Sequence, residues 1–481
     1  MQTESSKPSA SQMQAILARQ RAAHIADGPP PAARRIEWLN RAIELLRTHG
    51  ADLNQAMRED FGHRSLDQSN LTDISGTLDT LRYARKHVSR WMRPEKRATQ
   101  FPLNLLGARS QVQFQPKGVV GVVSPWNFPV NLTFAPLAGV FAAGNRAMVK
   151  PSEHTPRTSE LMRELIGSAY AEEELAVVTG GPEVGAAFTA LPFDHLVFTG
   201  GTAVAHHVMR SAADHLVPLT LELGGKSPVV IGASADIGKA ATRVMAGKLL
   251  NAGQVCLAPD YVFLPEGQRD AFVAAATEAV ANMFPDGLRD SDDYTSIIHQ
   301  RHFQRLAAYL EEARARGAEV VEINPAGEDF SGQAHHKMAP QLVFEPADDL
   351  AVMQEEIFGP ILPLRTYTDI EDVLAYINAR PRPLALYYFG EDGAERDRVI
   401  GHTSSGGVTI NDVFFHVGQE DLPFGGIGAS GMGRYHGHDG FLEFSHARAV
   451  FTQTRGEVLA VIRPPYGEKF RKLIGKRIQA G

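Results

Sequence analysis

Cysteine is nearly absent: Cys256 is the single thiol in 481 residues. A lone thiol excludes an intrachain disulfide and a multi-thiolate metal site, and it suits a reducing compartment. No apolar run approaches the ~20 residues needed to cross a bilayer as a helix, so no integral membrane association is expected. The opening Met1–Pro8 is polar, which gives no secretory leader and makes the cytoplasm the expected location. Basic residues are not in excess: 48 Lys and Arg stand against 55 Asp and Glu, a net charge of −7. That balance argues against a nucleic-acid partner. The pairs His206/His207, His335/His336 and His436/His438 form neither an H-E-x-x-H helix nor a Cys/His ligand set, so no metal is expected.

What is present is an ordinary globular balance of 43% hydrophobic and 21% charged residues, in a chain long enough for two or three domains. The first ~25 residues are polar and read as frayed. From Pro31, residues Ile36, Leu39, Ile43 and Leu46 share one helical face, and a second helix is expected over Leu71–Met92. The stretch Arg97–Gln115 reads as a crossing or a hairpin arm. From Gly118, short apolar runs recur at 118–123, 147–149, 176–178, 195–198 and 219–221, with helical stretches between most of them. That alternation predicts right-handed βαβ units and a doubly wound parallel sheet. A second α/β series is expected in a strand at Ser227–Ile231, a helix at Ile237–Leu250, a strand at Tyr261–Leu264, a helix at Gln268–Met283 and a return strand at Leu384–Phe389. Phe441–Thr454 alternates like a strand that pairs with the 97–115 arm, and the basic tail Tyr466–Arg477 reads as a solvated helix.

Ligands of doubly wound sheets bind beyond the carboxyl ends of the strands, so the loops there carry the information. After 118–123 comes Ser124-Pro-Trp-Asn-Phe-Pro129, where two prolines stiffen a loop that presents Asn127. Its amide suits a developing oxyanion, although an Asn also commonly holds its own turn. Lys150-Pro-Ser-Glu153 sets a cation and an anion where a ribose would find a donor and an acceptor; a surface ion pair is the plain alternative. Thr199-Gly-Gly-Thr202 opens a helix over Ala203–Ala213, a setting in which backbone N–H groups approach phosphate. Glu222-Leu-Gly-Gly-Lys226 puts a carboxylate at a strand end, as a general base or as a solvated turn residue. Glu355-Glu-Ile-Phe-Gly-Pro360 again joins a carboxylate and an aromatic to a Gly-Pro turn, and the glycine-dense 421–433 is long enough to close over a site. Cys256 itself lies in Gly-Gln-Val-Cys-Leu-Ala-Pro, among loop-forming residues, where it is either a small buried hydrophobe or a reactive thiol.

Taken in order and spacing, these seven motifs resemble those of the NAD(P)-dependent aldehyde dehydrogenases, over about residues 30 to 460. Cys256-Leu-Ala-Pro-Asp-Tyr261, Arg382–Tyr387, Gly406–Asp412 and Gly431–Gly437 look like the class 3 branch; Asp60–Ser65 and Arg463–Tyr466 look like its bacterial coniferyl aldehyde members. The resemblance implies an α/β fold with a Rossmann-type cofactor domain (1–96 and 116–223), an α/β catalytic domain (224–412) and a return segment with an active-site loop (413–440). It also implies a small β oligomerisation arm (97–115 and 441–459), a C-terminal tail (460–481) and a homodimer. The implied reaction oxidises an aldehyde, aromatic such as coniferyl aldehyde or of medium to long chain, to its acid. Cys256 would be the nucleophile, Asn127 the oxyanion donor, Glu222 the water-activating base, and Glu356 a ribose ligand and auxiliary base. The implied cofactor contacts are Ser124, Pro125, Trp126, Lys150, Ser152, Glu153, Thr199, Gly200, Gly201, Thr202, Leu223, Gly224, Glu356 and Phe358. The cofactor is NAD, with NADP as an alternative; Glu153 should repel a 2′-phosphate. Two departures stand out: Ala205 replaces an expected glycine, and Pro136 stands where relatives outside class 3 carry a lysine. A CoA-acylating enzyme and a non-catalytic protein of the same fold are the rival readings. Trp126, Val130, Phe134, Phe414, Phe415 and His416 are candidate tunnel residues.

Overall fold

The computed structural model describes residues 8–457 and 460–479. Two mainly parallel sheets carry the molecule. In the first, strands run in the order 175–177, 146–150, 119–123, 195–199, 219–222, with the short Gly431–Met432 antiparallel at the edge. Chain order therefore reverses between Val119–Val123 and His195–Thr199, which opens a crevice at their carboxyl ends. In the second, the order is 319–322, 341–344, 361–367, 259–265, 227–231, 385–389, 407–410, with only Glu319–Glu322 antiparallel. Val119, Val120 and Val122 and the whole of Ser227–Ile231 are buried, as expected of strands covered on both faces.

Glu222 closes a strand of the first sheet and Ser227 opens one of the second, with four residues between that carboxyl end and that amino end. The second sheet consequently presents the amino ends of its strands to the carboxyl ends of the first. Cys256, just before Pro259–Pro265, and Glu356, just before Ile361–Tyr367, both come from that amino-end rim. A three-stranded antiparallel sheet, 95–97, 109–116 and 445–452, forms a separate arm.

Three expectations need correction. The N-terminal segment is not frayed after residue 9: Ala10–Asp27 is a helix capped by Ser9, and Met13, Leu17 and Gln20 are buried. Its anchorage is tertiary, since Gln20 Nε2 donates to the carbonyls of Ala147 (2.8 Å) and Glu172 (2.9 Å); residues 1–7 lie outside the described residues. The helix expected over Leu71–Met92 is regular only over Gly76–Trp91, because Asn70–Ser75 widens into a π-helical turn around the buried Asp73. The strand expected from Phe441 begins at Ser445: Phe441 belongs to the helix Gly437–Glu443 and is buried 5.5 Å from the Phe114 ring. The tail does form a helix, Glu468–Gln479, with no buried residue.

Candidate active site

The chain around Cys256 is bent by three consecutive residues in the left-handed region, Asn251 (φ 50°), Ala252 (φ 52°) and Gly253 (φ 76°). Such a run is costly for L-residues and persists only where its surroundings hold it. Gly253 is obligatory, as a Cβ there would strike the Gly359 carbonyl. Gln254 does the holding: its Nε2 donates to the carbonyls of Asn251 and Ser296, both at 2.9 Å, and its Oε1 accepts from Ile298 N at 2.9 Å. Tyr387 donates to the Leu257 carbonyl at 2.6 Å on the other side of the thiol. Cys256 is left partly exposed on the floor of a cavity of about 260 Å³.

Asn127 hangs over that floor. One of its amide hydrogens goes to the Gln254 carbonyl (3.2 Å), which aims the second donor of the same NH2 into the cavity. Its backbone carbonyl accepts from Arg64 Nη1 (2.7 Å) and Asn251 Nδ2 (3.1 Å). Arg64 in turn pairs with Asp73 at 2.7 Å, both side chains fully buried, and stacks 4.7 Å from Phe61 and 5.3 Å from Phe128. The second Asp73 oxygen receives the N–H groups of Val130 (3.2 Å) and Asn131 (3.1 Å). The Asn127 loop is thus clamped from both ends by one buried ion pair. Replacing Arg64 by Met strands a buried carboxylate, and a loss of about 3–5 kcal/mol in folding stability is expected in urea titration; a change within about 0.5 kcal/mol would contradict the clamp.

Three proton-holding groups share the cavity. Glu222 is buried and neither of its oxygens has a hydrogen-bond partner among the described residues. Burial, and then the charge of Glu443, holds its carboxyl well above the usual carboxylate range. Glu356 is pushed up to about 8, first by burial and then by Asp260. Its segment is fixed by Lys226 Nζ on the Glu355 carbonyl (2.9 Å) and by Arg305 on the carbonyls of Glu356 (3.2 Å) and Ile357 (2.7 Å). Burial, then Glu356 and Glu222, pushes the Cys256 thiol up, against the pull of the backbone N–H groups of Cys256 and Leu257. The resting site therefore holds a neutral thiol beside two strong proton acceptors, rather than a standing thiolate.

Of the residues expected to contact a cofactor, Pro125, Trp126, Thr199, Gly200, Gly201, Leu223, Gly224, Glu356 and Phe358 line this cavity together with Asn127, Glu222 and Cys256. Ser124, Lys150, Ser152, Glu153 and Thr202 do not. Ser124 Oγ accepts from Thr133 Oγ1 at 2.7 Å, and Ser152 Oγ accepts from His154 N at 3.2 Å, both local bracing. Lys150 Nζ donates to Glu153 Oε2 at 2.6 Å, so these two are paired with each other. Burial works to raise the Glu153 carboxyl, but the hydrogen bond and charge of Lys150, with the backbone N–H of Glu153 and the charge of His154, together outweigh it and hold the group below its ordinary range. Thr202 Oγ1 reaches the Ala429 carbonyl at 3.4 Å.

The fit to a dinucleotide is good on three independent points. The helix Thr202–Ala213 starts at Gly201 with no side-chain cap, which leaves its first N–H groups for a pyrophosphate. A Cβ at Gly201 would meet nothing within 4 Å, whereas one at Gly224 would collide with the Glu356 carboxylate, so the two glycines mark open and closed walls. Thr199 Oγ1 and Glu356 Oε1 are buried without partners, as polar atoms awaiting a ligand. Ala205 is buried in the helix and its N–H bonds the Gly201 carbonyl at 3.1 Å, so the missing glycine leaves the phosphate approach untouched.

Sequence reasoning missed His302, Arg305 and Leu132 in the lining, and the Arg64–Asp73 clamp. His302 and Arg305 lie three residues apart on one face of the helix Gln300–Ala315, a spacing any solvated helix shares. Of the proposed tunnel residues only Trp126 lines the cavity. Val130 and Phe134 are fully buried, Phe415 is largely exposed, and Phe414 and His416 pack against Tyr387. Among the described residues no group of three His, Cys, Asp or Glu is placed to hold a metal, and no helix is long and apolar enough to cross a membrane.

A fold of two facing sheets with a thiol, an amide and a buried carboxylate around one cavity defines a class of thiol-dependent dehydrogenase, and comparison with known proteins agrees. The model of the aldehyde dehydrogenase family matches residues 3–450, and the chain belongs to that family. It is 58% identical to the probable coniferyl aldehyde dehydrogenase of Caulobacter vibrioides, covering 97% of each chain. It is 53% identical to the coniferyl aldehyde dehydrogenase of Pseudomonas sp. strain HR199, over 97% of this chain and 96% of that one. The substrate-bound AldH of Staphylococcus aureus superposes with a TM-score of 0.90 at 35% identity, over 96% of this chain and 99% of that one.

Proposed function

We propose that the protein oxidises aromatic aldehydes of the coniferyl type to their acids with NAD(P)+ and water, through a thioester on Cys256. The observation that carries this reading is the cavity itself, in which the Asn127 amide and the buried, unpartnered Glu222 face one thiol. The bacterial relatives named for coniferyl aldehyde support the substrate class.

Cys256 gives its proton to a neighbouring carboxylate and Sγ attacks the carbonyl carbon, forming a thiohemiacetal. Its oxyanion takes hydrogen bonds from Asn127 Nδ2 and the Cys256 backbone N–H. Gly200, Gly201 and Glu356 would hold NAD(P)+, which when bound would supply the acceptor for the hydride that leaves the carbonyl carbon. Glu222 then removes a proton from water, the hydroxide adds to the resulting thioester, and Sγ departs as the acid forms. A CoA-acylating enzyme has no task for such a base, and Glu222 therefore favours water. Glu153, ionised beside Lys150, disfavours a 2′-phosphate and makes NAD the preferred cofactor.

The assembly is proposed as a homodimer in the cytoplasm, joined at the arm: among the described residues Ser445–Thr452 pairs only with Arg109–Pro116, which leaves its other edge without a strand partner there. The domain limits at 96, 115, 223, 412, 440 and 459 remain part of this proposal. The purified protein is expected to reduce NAD on adding coniferyl aldehyde with no CoA present, with kcat/KM at least about tenfold above that for acetaldehyde or for NADP. Turnover that requires CoA would overturn the hydrolytic reading, and equal kcat/KM across aldehydes would overturn the substrate class.

A further inference from the structure

Behind Glu222 lies a row of polar side chains that the reaction as described does not use. Lys117 Nζ donates to His195 Nδ1 at 3.0 Å, His195 Nε2 to Thr220 Oγ1 at 2.8 Å, and Thr220 Oγ1 to Glu443 Oε1 at 2.7 Å. The directions are forced. The single Thr220 proton goes to the carboxylate, so its oxygen accepts from His195, whose other nitrogen must then accept from the ammonium. Thr220 and His195 are buried, whereas the Glu443 side chain keeps 22% of its surface exposed. Lys117 borders a surface cavity of about 830 Å³ that also touches Ser445 and His446, next to the end of the Glu443 helix.

The strand Leu219–Glu222 ties this row to the site. Thr220 and Glu222 are two residues apart and project from the same face, roughly 7 Å from each other along the strand. The edge strand that pairs Gly431 with Glu222 and Met432 with Leu221 continues into Gly433, opposite Thr220. Gly433 has φ 76°, and a Cβ there would come within 2.7 Å of Glu443 Oε1. The missing side chain is what lets the second carboxylate settle beside the strand.

We propose that Glu443 is a positioning residue for thioester hydrolysis: a second negative charge, fixed by Thr220, His195 and Lys117, that makes Glu222 a stronger base without touching substrate. This rests on the reading of Glu222 as the water-activating base. Glu222 has Glu443 two residues along its own strand face, held on the Thr220 hydroxyl, Cys256 across the cavity, and Tyr435, whose buried hydroxyl has no partner among the described residues. Glu443 faces Thr220, His195 and Lys117. Only Glu443 adds to burial in raising the Glu222 carboxyl. Burial and then Lys117 keep His195 down at about 3, so it stays neutral and the row does not invert in the working range. Loss of the Glu443 charge weakens the base and lets it ionise at lower pH.

The test uses p-nitrophenyl acetate, which acylates Cys256 with release of p-nitrophenolate and needs no cofactor. The burst reports acylation and the steady rate reports hydrolysis. In Glu443→Gln the burst is expected to stay unchanged, the steady rate to fall about three- to tenfold, and the acid limb of its pH profile to move down by about one unit. Glu443→Asp, which keeps the charge, should stay closer to wild type than Gln in both readouts, and Glu443→Ala takes the place of Gln if that variant fails to fold. A Gln or Ala variant whose steady rate and pH profile match wild type overturns the proposal. Glu222→Gln, run beside them, separates the two claims: a burst without steady hydrolysis upholds the base even when Glu443 proves idle. Wild-type hydrolysis in Glu222→Gln would sink the reading on which the proposal rests.

Discussion

Cys256→Ala abolishes aldehyde oxidation, with a loss of at least about 10⁴-fold in kcat, while cofactor binding and folding survive. The expectation follows from position. Cys256 is the only thiol of the chain, it sits partly exposed on the cavity floor, and no serine or lysine lines the cavity beside it among the described residues. Its side chain packs against the core without filling it, so truncation should change stability by no more than about 1 kcal/mol. Steady-state NADH production and cofactor titration by fluorescence quenching together check this. Residual kcat above about 1% of wild type would remove Cys256 from the chemistry, whereas lost cofactor binding would show a structural defect instead.

Glu222→Gln gives the second large effect, of a different kind. The first half-reaction needs a proton acceptor for the thiol, and Glu356, pushed up to about 8, remains available for it. The second half-reaction needs a base for water. Rapid mixing with aldehyde and NAD should therefore show a burst of about one NADH per site, followed by a steady rate about 10²–10⁴-fold below wild type. In the wild type, burial and Glu443 raise the Glu222 carboxyl, so its basic form appears only at higher pH than for an ordinary glutamate. The sign is then fixed: hydrolysis-limited kcat climbs as pH rises through that raised value, and an acid limb centred near the ordinary 4–5 of a carboxylate would contradict the burial argument. A normal steady rate in Glu222→Gln would assign water activation elsewhere, with Glu356 the next residue to replace.

The residues that carry these effects were unequally visible in the chain. Asn127 and Glu222 follow strands of the first sheet, and a doubly wound sheet puts its ligands there, so strand periodicity alone leads to them. Cys256 and Glu356 precede strands of the second sheet, and the same rule passes them by. Only the motifs pointed to them, because the facing of one sheet's amino ends to the other's carboxyl ends is not written in either strand. Glycine-rich turns around 200 and 224 were legible, since a missing side chain is a local fact. The Arg64–Asp73 clamp was not: it joins a turn, a π-helical segment and the Asn127 loop, which are neighbours only after folding. The N-terminal helix was missed for a related reason, as its weakly amphipathic sequence gains its hold from the Ala147 and Glu172 carbonyls.

By itself the sequence determined the family and the reaction type, and it offered one candidate each for nucleophile, oxyanion donor and base, because each of those tasks depends on a residue type that few others replace. Tertiary structure decided the protonation state of the site and what sustains it. Burial holds the Cys256 thiol neutral beside two carboxyls of raised proton affinity, and Glu443 sits on the Thr220 hydroxyl, two residues along the strand from Glu222. It also decided that Lys150 and Glu153 meet each other and that most of the suspected tunnel aromatics do not line the cavity. Chemical identity resides in single side chains, whereas solvation and charge coupling depend on distances through space that a linear chain does not contain.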